Sequence, residues 1–76
     1  MKEKLPRVTG LEIIRALERA GFSFARQSGS HAIYKNQSGK RVTVSSHAGK
    51  VLHPKVIHAI LRDADLTVAD LRDYLG

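Results

Sequence analysis

The chain has 76 residues, of which 42% are hydrophobic and 26% charged, and it contains no cysteine. This composition is typical of a folded globular protein, and the length predicts one domain spanning residues 1–76 with room for one sheet and two or three helices. The lack of cysteine excludes a disulfide framework and fits a cytoplasmic location. No apolar segment has the length of a signal peptide or a membrane span, so we expect neither secretion nor membrane insertion.

The net charge of +6 is concentrated in the middle of the chain. The 44 residues between Glu18 and Asp63 contain eight Lys or Arg and all four His, but no carboxylate. This segment predicts a surface that attracts a polyanion, and nucleic acid is the leading candidate. A membrane surface is disfavoured, because the basic amphipathic segments are short and needed for the core. Since Mg²⁺ prefers Asp or Glu oxygens, we expect no metal or cofactor, which leaves imidazole as the group for any chemistry.

The first helix is predicted to begin at about Gly10. Thr9 and Glu12 have the spacing of a capping box, and Val8 and Ile13 that of a hydrophobic staple. The apolar stripe of this helix consists of Leu11, Ile13, Ile14, Ala16, Leu17 and Ala20. Gly21 is placed to end the helix in a left-handed conformation.

Three short segments after this helix are rich in aromatic or branched residues and are separated by Ser-Gly turns. We interpret residues 22–27, 31–36 and 41–46 as strands of an antiparallel meander. Pro54 then suits the first position of a helix over residues 54–64, whose apolar side chains recur with helical spacing. Thr67 and Asp70 cap a short third helix that offers Leu71, Tyr74 and Leu75 to the core.

The predicted fold is therefore α+β, with the order α-β-β-β-α-α. A three-stranded antiparallel sheet is expected to have helices packed on one face, while its other face meets solvent.

The string Gly29-Ser30-His31 places a histidine at the start of a strand, directly after a turn, with Arg26 and Lys35 on either side. RNA carries its own nucleophile, the 2′-hydroxyl, so a protein that cleaves it needs only a proton acceptor and donor and cations for the phosphorane charge. Imidazole, whose usual pKa is about 6.5, can perform the proton transfers, and Arg and Lys can stabilise the charge. The alternative is that His31 is a structural strand residue that at most touches phosphate.

Strand alternation alone does not decide on which side of the sheet His31 lies. If Ala32 and Tyr34 point to the core, His31, Ile33 and Lys35 face outward together. If Ile33 is the core residue, His31 lies on the buried side. The catalytic interpretation requires the first arrangement.

Several further residues are candidates for supporting roles. His47 and Ser30 are candidates for assisting His31, although a loop histidine without a function is an equal alternative for His47. The residues predicted to bind phosphate are Arg26, Lys35, Arg41, Lys50 and Lys55, the last two near the N-terminus of the second helix. His53 and His58 are five residues apart, which does not place them on one helix face, so we expect a cap and a surface residue rather than a zinc site.

Four strings along the chain together resemble the HicA toxin family, the ribonuclease half of HicA/HicB toxin–antitoxin pairs. They are Thr9-Gly10 with the helix up to Phe22, then Arg-Gln-Ser-Gly-Ser-His-Ala-Ile-Tyr at 26–34, then Val-Thr-Val at 42–44 leading to His-Ala-Gly-Lys-Val-Leu at 47–52, and Ile-Leu-Arg-Asp-Ala-Asp-Leu-Thr at 60–67. The Gly-Ser-His and His-x-Gly-Lys strings recur in this order in the family. The resemblance covers nearly the whole chain.

This resemblance implies a fold similar to double-stranded RNA-binding domains and metal-independent cleavage of mRNA, with the catalytic histidine at His31. It also implies neutralisation by a HicB-type antitoxin, and direct DNA binding is not expected. Members commonly have proline at the position of Ser45 and glycine at that of Lys55, two differences that concern loop geometry and substrate preference.

Two other functions are compatible with the same residues. One is an RNA-binding module similar to double-stranded RNA-binding domains, which grips the backbone and 2′-hydroxyls without cleavage. The other is a small interaction protein whose basic face receives an acidic partner and has little affinity for RNA.

Overall fold

The computed structural model describes residues 5–45 and 49–76. Its elements, in chain order, are α1 (Gly10–Arg19), β1 (Ser23–Ser28), β2 (His31–Lys35), β3 (Arg41–Ser45), α2 (Pro54–Ala64) and α3 (Val68–Leu75). The strands form one open antiparallel sheet in the order β1-β2-β3, so β2 is central. The predicted α+β fold and element order are confirmed.

α1 begins as its capping residues predict. The Thr9 backbone N–H donates to Glu12 Oε1 at 2.9 Å, and the Glu12 N–H donates to Thr9 Oγ1 at 3.2 Å. Val8 and Ile13, the predicted staple pair, are both buried in the core. Leu11 differs from the prediction because its side chain is 46% exposed, so the buried stripe of α1 is narrower than its apolar sequence.

The C-terminus of α1 explains why β1 starts one residue later than predicted. Gly21, at φ 99°, donates its N–H to the Glu18 carbonyl, and the Phe22 N–H donates to the Leu17 carbonyl at 2.9 Å. These two bonds form a Schellman motif, which satisfies carbonyls that the last helical turn leaves without partners. Because the Phe22 amide belongs to this cap, pairing with β2 begins only at Ser23.

Local hydrogen bonds also fix the ends of α2 and α3. His53 is the N-cap of α2, and its Nδ1 accepts from the Lys55 N–H at 3.1 Å. Asp65 closes the same helix in the left-handed conformation, with φ 59°. Thr67 and Asp70 form a second capping box at the start of α3, with bonds of 2.9 and 3.0 Å. The predicted N-terminal caps of both helices are therefore present.

The core lies between the helices and one face of the sheet. The sheet contributes Ala32 and Tyr34 from β2 and Val42 and Val44 from β3. The buried residues of the helices and of the segments next to them are Val8, Ile13, Ala16, Leu17, Phe22, Ile57, Ile60, Leu61, Ala64 and Leu71. Because β1 packs against no helix closely and is exposed along its whole length, the core is centred on β2 and β3.

The direction of α2 follows from its contacts. The helix packs against β3, and Asp65 at its C-terminal end lies 3.9 Å from Lys40, measured between Oδ2 and Nζ. Lys40 directly precedes β3, so α2 runs antiparallel to that strand. A helix of 11 residues and a strand of 5 have similar lengths of about 16 Å. The N-terminus of α2 therefore lies at the end of the sheet where β3 finishes, which is also where β2 begins.

Candidate nucleic-acid interface

The sheet has a face without helices, and His31 lies on it. Ala32 and Tyr34 belong to the core cluster, so the alternate residues His31, Ile33 and Lys35 point the other way. This is the first of the two arrangements that strand alternation allowed. Ile33 is only 8% exposed, although it lies outside the core cluster.

The strand register defines three rows across this face. Residues directly opposite one another in an antiparallel sheet share a face. In order from one end of β2 to the other, the rows are Ser28–His31–Ser45, Arg26–Ile33–Thr43 and Ser23–Lys35–Arg41. We call these nine residues the open face. It gathers Arg26, His31, Lys35 and Arg41, four of the residues predicted from the sequence to contact RNA.

A β-bulge in β1 brings Arg26 to the open face. Phe24 pairs with Tyr34 and Arg26 pairs with Ile33, so Ala25 between them has no partner on β2. In a regular strand Phe24 and Arg26 would share a face, whereas the extra residue places them on opposite faces. The bulge therefore carries Arg26 and Ser28 to the side of His31. Sequence reasoning missed it, and the small Ala25 between two large side chains is the only local sign.

Gly29 and Ser30 form the turn that positions His31. The Ser28–His31 pair closes the hairpin, and Gly29 has a positive φ of 57°, which suits the first central position of a two-residue hairpin loop. Gln27 Nε2 donates to the Gly29 carbonyl at 3.0 Å and ties the turn to β1. His31 and Ser30 are both exposed. The imidazole is thus held at the end of a rigid strand and is open to solvent.

The open face is strongly cationic. Lys35 and Arg41 lie directly opposite each other, and Arg26 lies in the next row. Within residues 5–45 and 49–76 the only ion pair joins Lys40 to Asp65, which is not on this face. All carboxylates of the sequence lie before Arg19 or after Arg62. The positive charge of the face is therefore not neutralised by the described part of the chain.

Lys50 and Lys55, the other two predicted phosphate ligands, do not lie on the open face. The Lys50 carbonyl accepts from the Gly10 N–H at 3.3 Å, and Lys55 is in the first turn of α2. Both side chains are exposed. Because the N-terminus of α2 lies at the end of the sheet where His31 is found, Lys55 continues the positive charge beyond that end. His47, the candidate assistant of His31, lies outside the described residues.

The remaining histidines have the positions predicted for them. His53 caps α2 through its ring nitrogen, and His58 is exposed on the same helix. Among residues 5–45 and 49–76, no three His, Cys, Asp or Glu side chains are grouped as metal ligands would be.

The aromatic side chains lie on the helix side of the sheet. The rings of Phe24 and Tyr34 meet edge to face, with centroids 5.8 Å apart. Burial raises the pKa of the Tyr34 phenol above its usual value, and the nearby negative charge of Glu18 raises it further. Phe22 is buried in the core, and Tyr74 of α3 packs against the core. None of the nine open-face residues is Phe, Tyr or Trp, so the His31 imidazole is the one ring of this face on which a base could stack.

The fold and this face define a small α+β protein whose exposed sheet surface suits a polyanion. A family model described as the HicA toxin of bacterial toxin–antitoxin matches residues 10–66 of the 76-residue chain. The chain therefore belongs to the HicA toxin family, whose members are toxins of toxin–antitoxin pairs. No curated protein matches it. No helix within the described residues is long and apolar enough to cross a membrane.

Proposed function

We propose that the protein is a metal-independent endoribonuclease that cleaves mRNA, with His31 as the catalytic residue. The observation that carries the proposal is the exposed imidazole in the same sheet face as three cationic side chains, Arg26, Lys35 and Arg41. Family membership supports a toxin function, and cleavage of mRNA is a direct way for such a toxin to stop translation.

The proposed reaction uses the ribose of the substrate as nucleophile. His31 accepts the proton of the 2′-hydroxyl while O2′ forms a bond to phosphorus. The bond between phosphorus and O5′ then breaks, and O5′ receives a proton from the imidazolium or from water. The products are a 2′,3′-cyclic phosphate and a 5′-hydroxyl, so protons and electron pairs balance without a metal ion. Proton transfer by a positioned histidine typically accelerates a reaction by about 10²- to 10⁴-fold.

The cations of the open face supply the electrostatic part of this mechanism. Arg26 lies one row from His31, close to where negative charge develops on the phosphorane oxygens. Lys35 and Arg41 lie about 13 Å from His31 along the strand, which suits contacts with phosphates away from the cleavage point. Lys55 and Lys50 extend the path beyond the other end of the sheet. A sugar-phosphate strand laid along β2 would therefore meet cations before, at and after the cleaved bond.

Base recognition is expected to be weak. Because the open face has no Phe, Tyr or Trp and only the His31 imidazole as a ring, contacts to phosphate and ribose would supply most of the binding energy. Such binding weakens steeply as salt concentration rises, since each cation that meets a phosphate releases a counterion. We expect short RNAs of different sequence to bind with similar affinity.

The central experiment compares the wild type with His31→Ala and the control variant His58→Ala. His58 is also an exposed histidine, but it lies on α2 and not on the sheet face. Cleavage of a labelled RNA should fall at least 100-fold in His31→Ala and stay within about twofold of wild type in His58→Ala. An RNA with a 2′-deoxy sugar at the cleavage point should bind but not be cut.

Growth assays and RNA-binding assays distinguish the proposed ribonuclease from an RNA-binding module and from an interaction protein. Expression of the wild type should arrest growth, whereas His31→Ala should not, although both proteins fold and bind RNA. Equal toxicity of the two would remove His31 from the mechanism. RNA binding without any cleavage by the wild type would identify a binding module, and negligible affinity for RNA would favour an interaction protein.

Chelation tests the role of metal ions directly. Cleavage by the purified protein should be unchanged by millimolar EDTA. Activity that disappears with EDTA and returns with added Mg²⁺ would contradict the mechanism, because the proposed proton transfers need no Lewis acid.

The proposed partner is a HicB-type antitoxin that covers the open face. The cationic face has no neutralising carboxylates in the described part of the chain, so acidic groups of a partner would be attracted to it. A protein laid over β2 would block the approach of RNA to His31 and thus inhibit cleavage.

A further inference from the structure

His31 has a serine on each side in the same row of the sheet. Ser28 on β1 and Ser45 on β3 are its direct cross-strand partners. Both hydroxyls lie on the open face, together with the imidazole. In an antiparallel sheet, directly opposite residues have Cβ atoms about 4.5–5.5 Å apart, which puts a serine hydroxyl within hydrogen-bonding reach of a histidine Nδ1.

The two serines differ in how closely they approach His31. Cross-strand pairs alternate between hydrogen-bonded pairs, with Cα atoms about 5.5 Å apart, and non-hydrogen-bonded pairs, with Cα atoms about 4.5 Å apart and side chains closer. Between β2 and β3 the Asn36 N–H donates to the Lys40 carbonyl at 3.1 Å, which identifies that pair as hydrogen-bonded. Counting back along the register makes His31–Ser45 a non-hydrogen-bonded pair.

The Ser28–His31 pair is of the other kind. A residue of the central strand directs its backbone N–H and carbonyl to one neighbouring strand only. Because His31 does not direct them to β3, it directs them to β1, and the Ser28 side chain is therefore farther away. Ser45 is also half-buried, whereas Ser28 is exposed on an edge strand. A hydrogen bond that His31 donates to Ser45 would thus face less competition from water than one to Ser28.

We infer that Ser45 is a positioning residue for His31, an inference that rests on the proposed ribonuclease function. In the substrate complex the Nδ1–H of His31 donates a hydrogen bond to Ser45 Oγ. This bond fixes the tautomer in which Nε2 lacks a proton, and it directs Nε2 away from the sheet toward the 2′-hydroxyl. Ser45 neither gains nor loses a proton.

The test measures cleavage of a labelled RNA by Ser45→Ala, Ser45→Thr and the control Ser38→Ala. Ser38 is an exposed serine in the turn between β2 and β3, outside the open face. Ser45→Ala should lower kcat about tenfold, equivalent to about 1.4 kcal/mol in the barrier, with KM within twofold of wild type. Ser45→Thr should recover kcat to within about threefold, and Ser38→Ala should change neither constant.

A spectroscopic measurement reports the tautomer itself. The ¹⁵N chemical shifts of the His31 ring, measured with a non-cleavable 2′-deoxy RNA bound, should indicate protonated Nδ1 in wild type and in Ser45→Thr. In Ser45→Ala the population should shift toward protonated Nε2. A purely structural role of Ser45 would leave this tautomer equilibrium unchanged.

The outcomes separate this inference from the proposed function. Unchanged kcat in Ser45→Ala, or a failure of Ser45→Thr to restore it, would overturn the role of Ser45 while the loss of activity in His31→Ala still supported the ribonuclease. Full activity in His31→Ala would overturn both. A reduced kcat in Ser45→Ala with an unchanged tautomer would also overturn the inference, because the hydroxyl would then act by another route.

Discussion

Lys35 lies directly opposite Arg41 on the open face, in the row of the sheet farthest from His31. The register makes this a non-hydrogen-bonded pair, in which side chains are closest. Like charges directly opposite each other in a sheet destabilise it, by roughly 0.2–1 kcal/mol. A protein of 76 residues has a free energy of unfolding of only about 4–11 kcal/mol. The pair therefore lowers the free energy of unfolding, as expected for two cations placed together to bind an anion.

Replacing Arg41 with Glu should separate stability from binding. The new carboxylate opposite Lys35 turns repulsion into attraction, so urea unfolding should show a gain of up to about 1 kcal/mol. RNA affinity should fall, and the slope of log affinity against log salt should decrease by at least about one, since one phosphate contact is lost.

The matched control for this change is Arg15→Glu, which alters the net charge by the same amount at an exposed position of α1. It should leave the salt slope unchanged. Equal losses of RNA affinity in the two variants would mean that overall charge, and not the open face, governs binding.

The parts of the fold that could be predicted from the sequence are those encoded locally. Thr9 with Glu12, and Thr67 with Asp70, specify helix starts through hydrogen bonds that span three residues, and such bonds need no knowledge of the rest of the chain. Pro54 likewise specifies the start of α2.

The orientation of β2 could not be predicted, because its inner three residues are all buried. Ala32, Ile33 and Tyr34 are each less than 9% exposed, so the alternation that normally reveals the core side is hidden. Ala32 and Tyr34 belong to the core cluster, whereas Ile33 does not. Only the tertiary structure shows this difference. The bulge at Ala25 could not be predicted either, because it depends on the pairing of β1 with β2.

Phe22 and Phe24 should contribute very differently to stability, although they are two residues apart. Phe22 is 4% exposed in the core, whereas Phe24 is 55% exposed and has its ring against Tyr34. Phe22→Ala should lower the free energy of unfolding by about 3–5 kcal/mol, and Phe24→Ala by about 1 kcal/mol. Urea denaturation measures both, and Phe22→Leu provides a folded variant if the alanine protein fails to fold. Similar losses at the two positions would contradict the assignment of β1 as an edge strand outside the core.

Stability should fall at alkaline pH because of Tyr34. Its pKa is raised in the folded protein, first by burial and then by the charge of Glu18, so the folded state binds the phenolic proton more tightly than the unfolded chain does. The resulting stabilisation is complete below about pH 10, the usual pKa of tyrosine, and is lost as pH rises through the higher folded pKa. Tyr34→Phe cannot ionise. Urea unfolding at pH 8, 10 and 10.5 should therefore show the variant losing less stability than wild type between the first and last values.

A control for this prediction is Glu18→Gln, which removes the second cause of the shift but not the first. Its loss of stability over the same pH range should fall between those of wild type and Tyr34→Phe. Identical pH dependence in all three proteins would show that Tyr34 titrates with the same pKa in the folded and unfolded states.

The antitoxin prediction can be tested with the histidines themselves. If a HicB-type partner covers the open face, modification of His31 by diethyl pyrocarbonate should slow at least tenfold in the complex, because the reagent can no longer reach the ring. His58, exposed on α2, should react at nearly the same rate in both states. Mass spectrometry of the modified peptides measures each site separately. An inhibited complex in which His31 still reacts as fast as in the free toxin would show that the antitoxin acts away from the open face, for example by distorting the sheet or by blocking the path near Lys55.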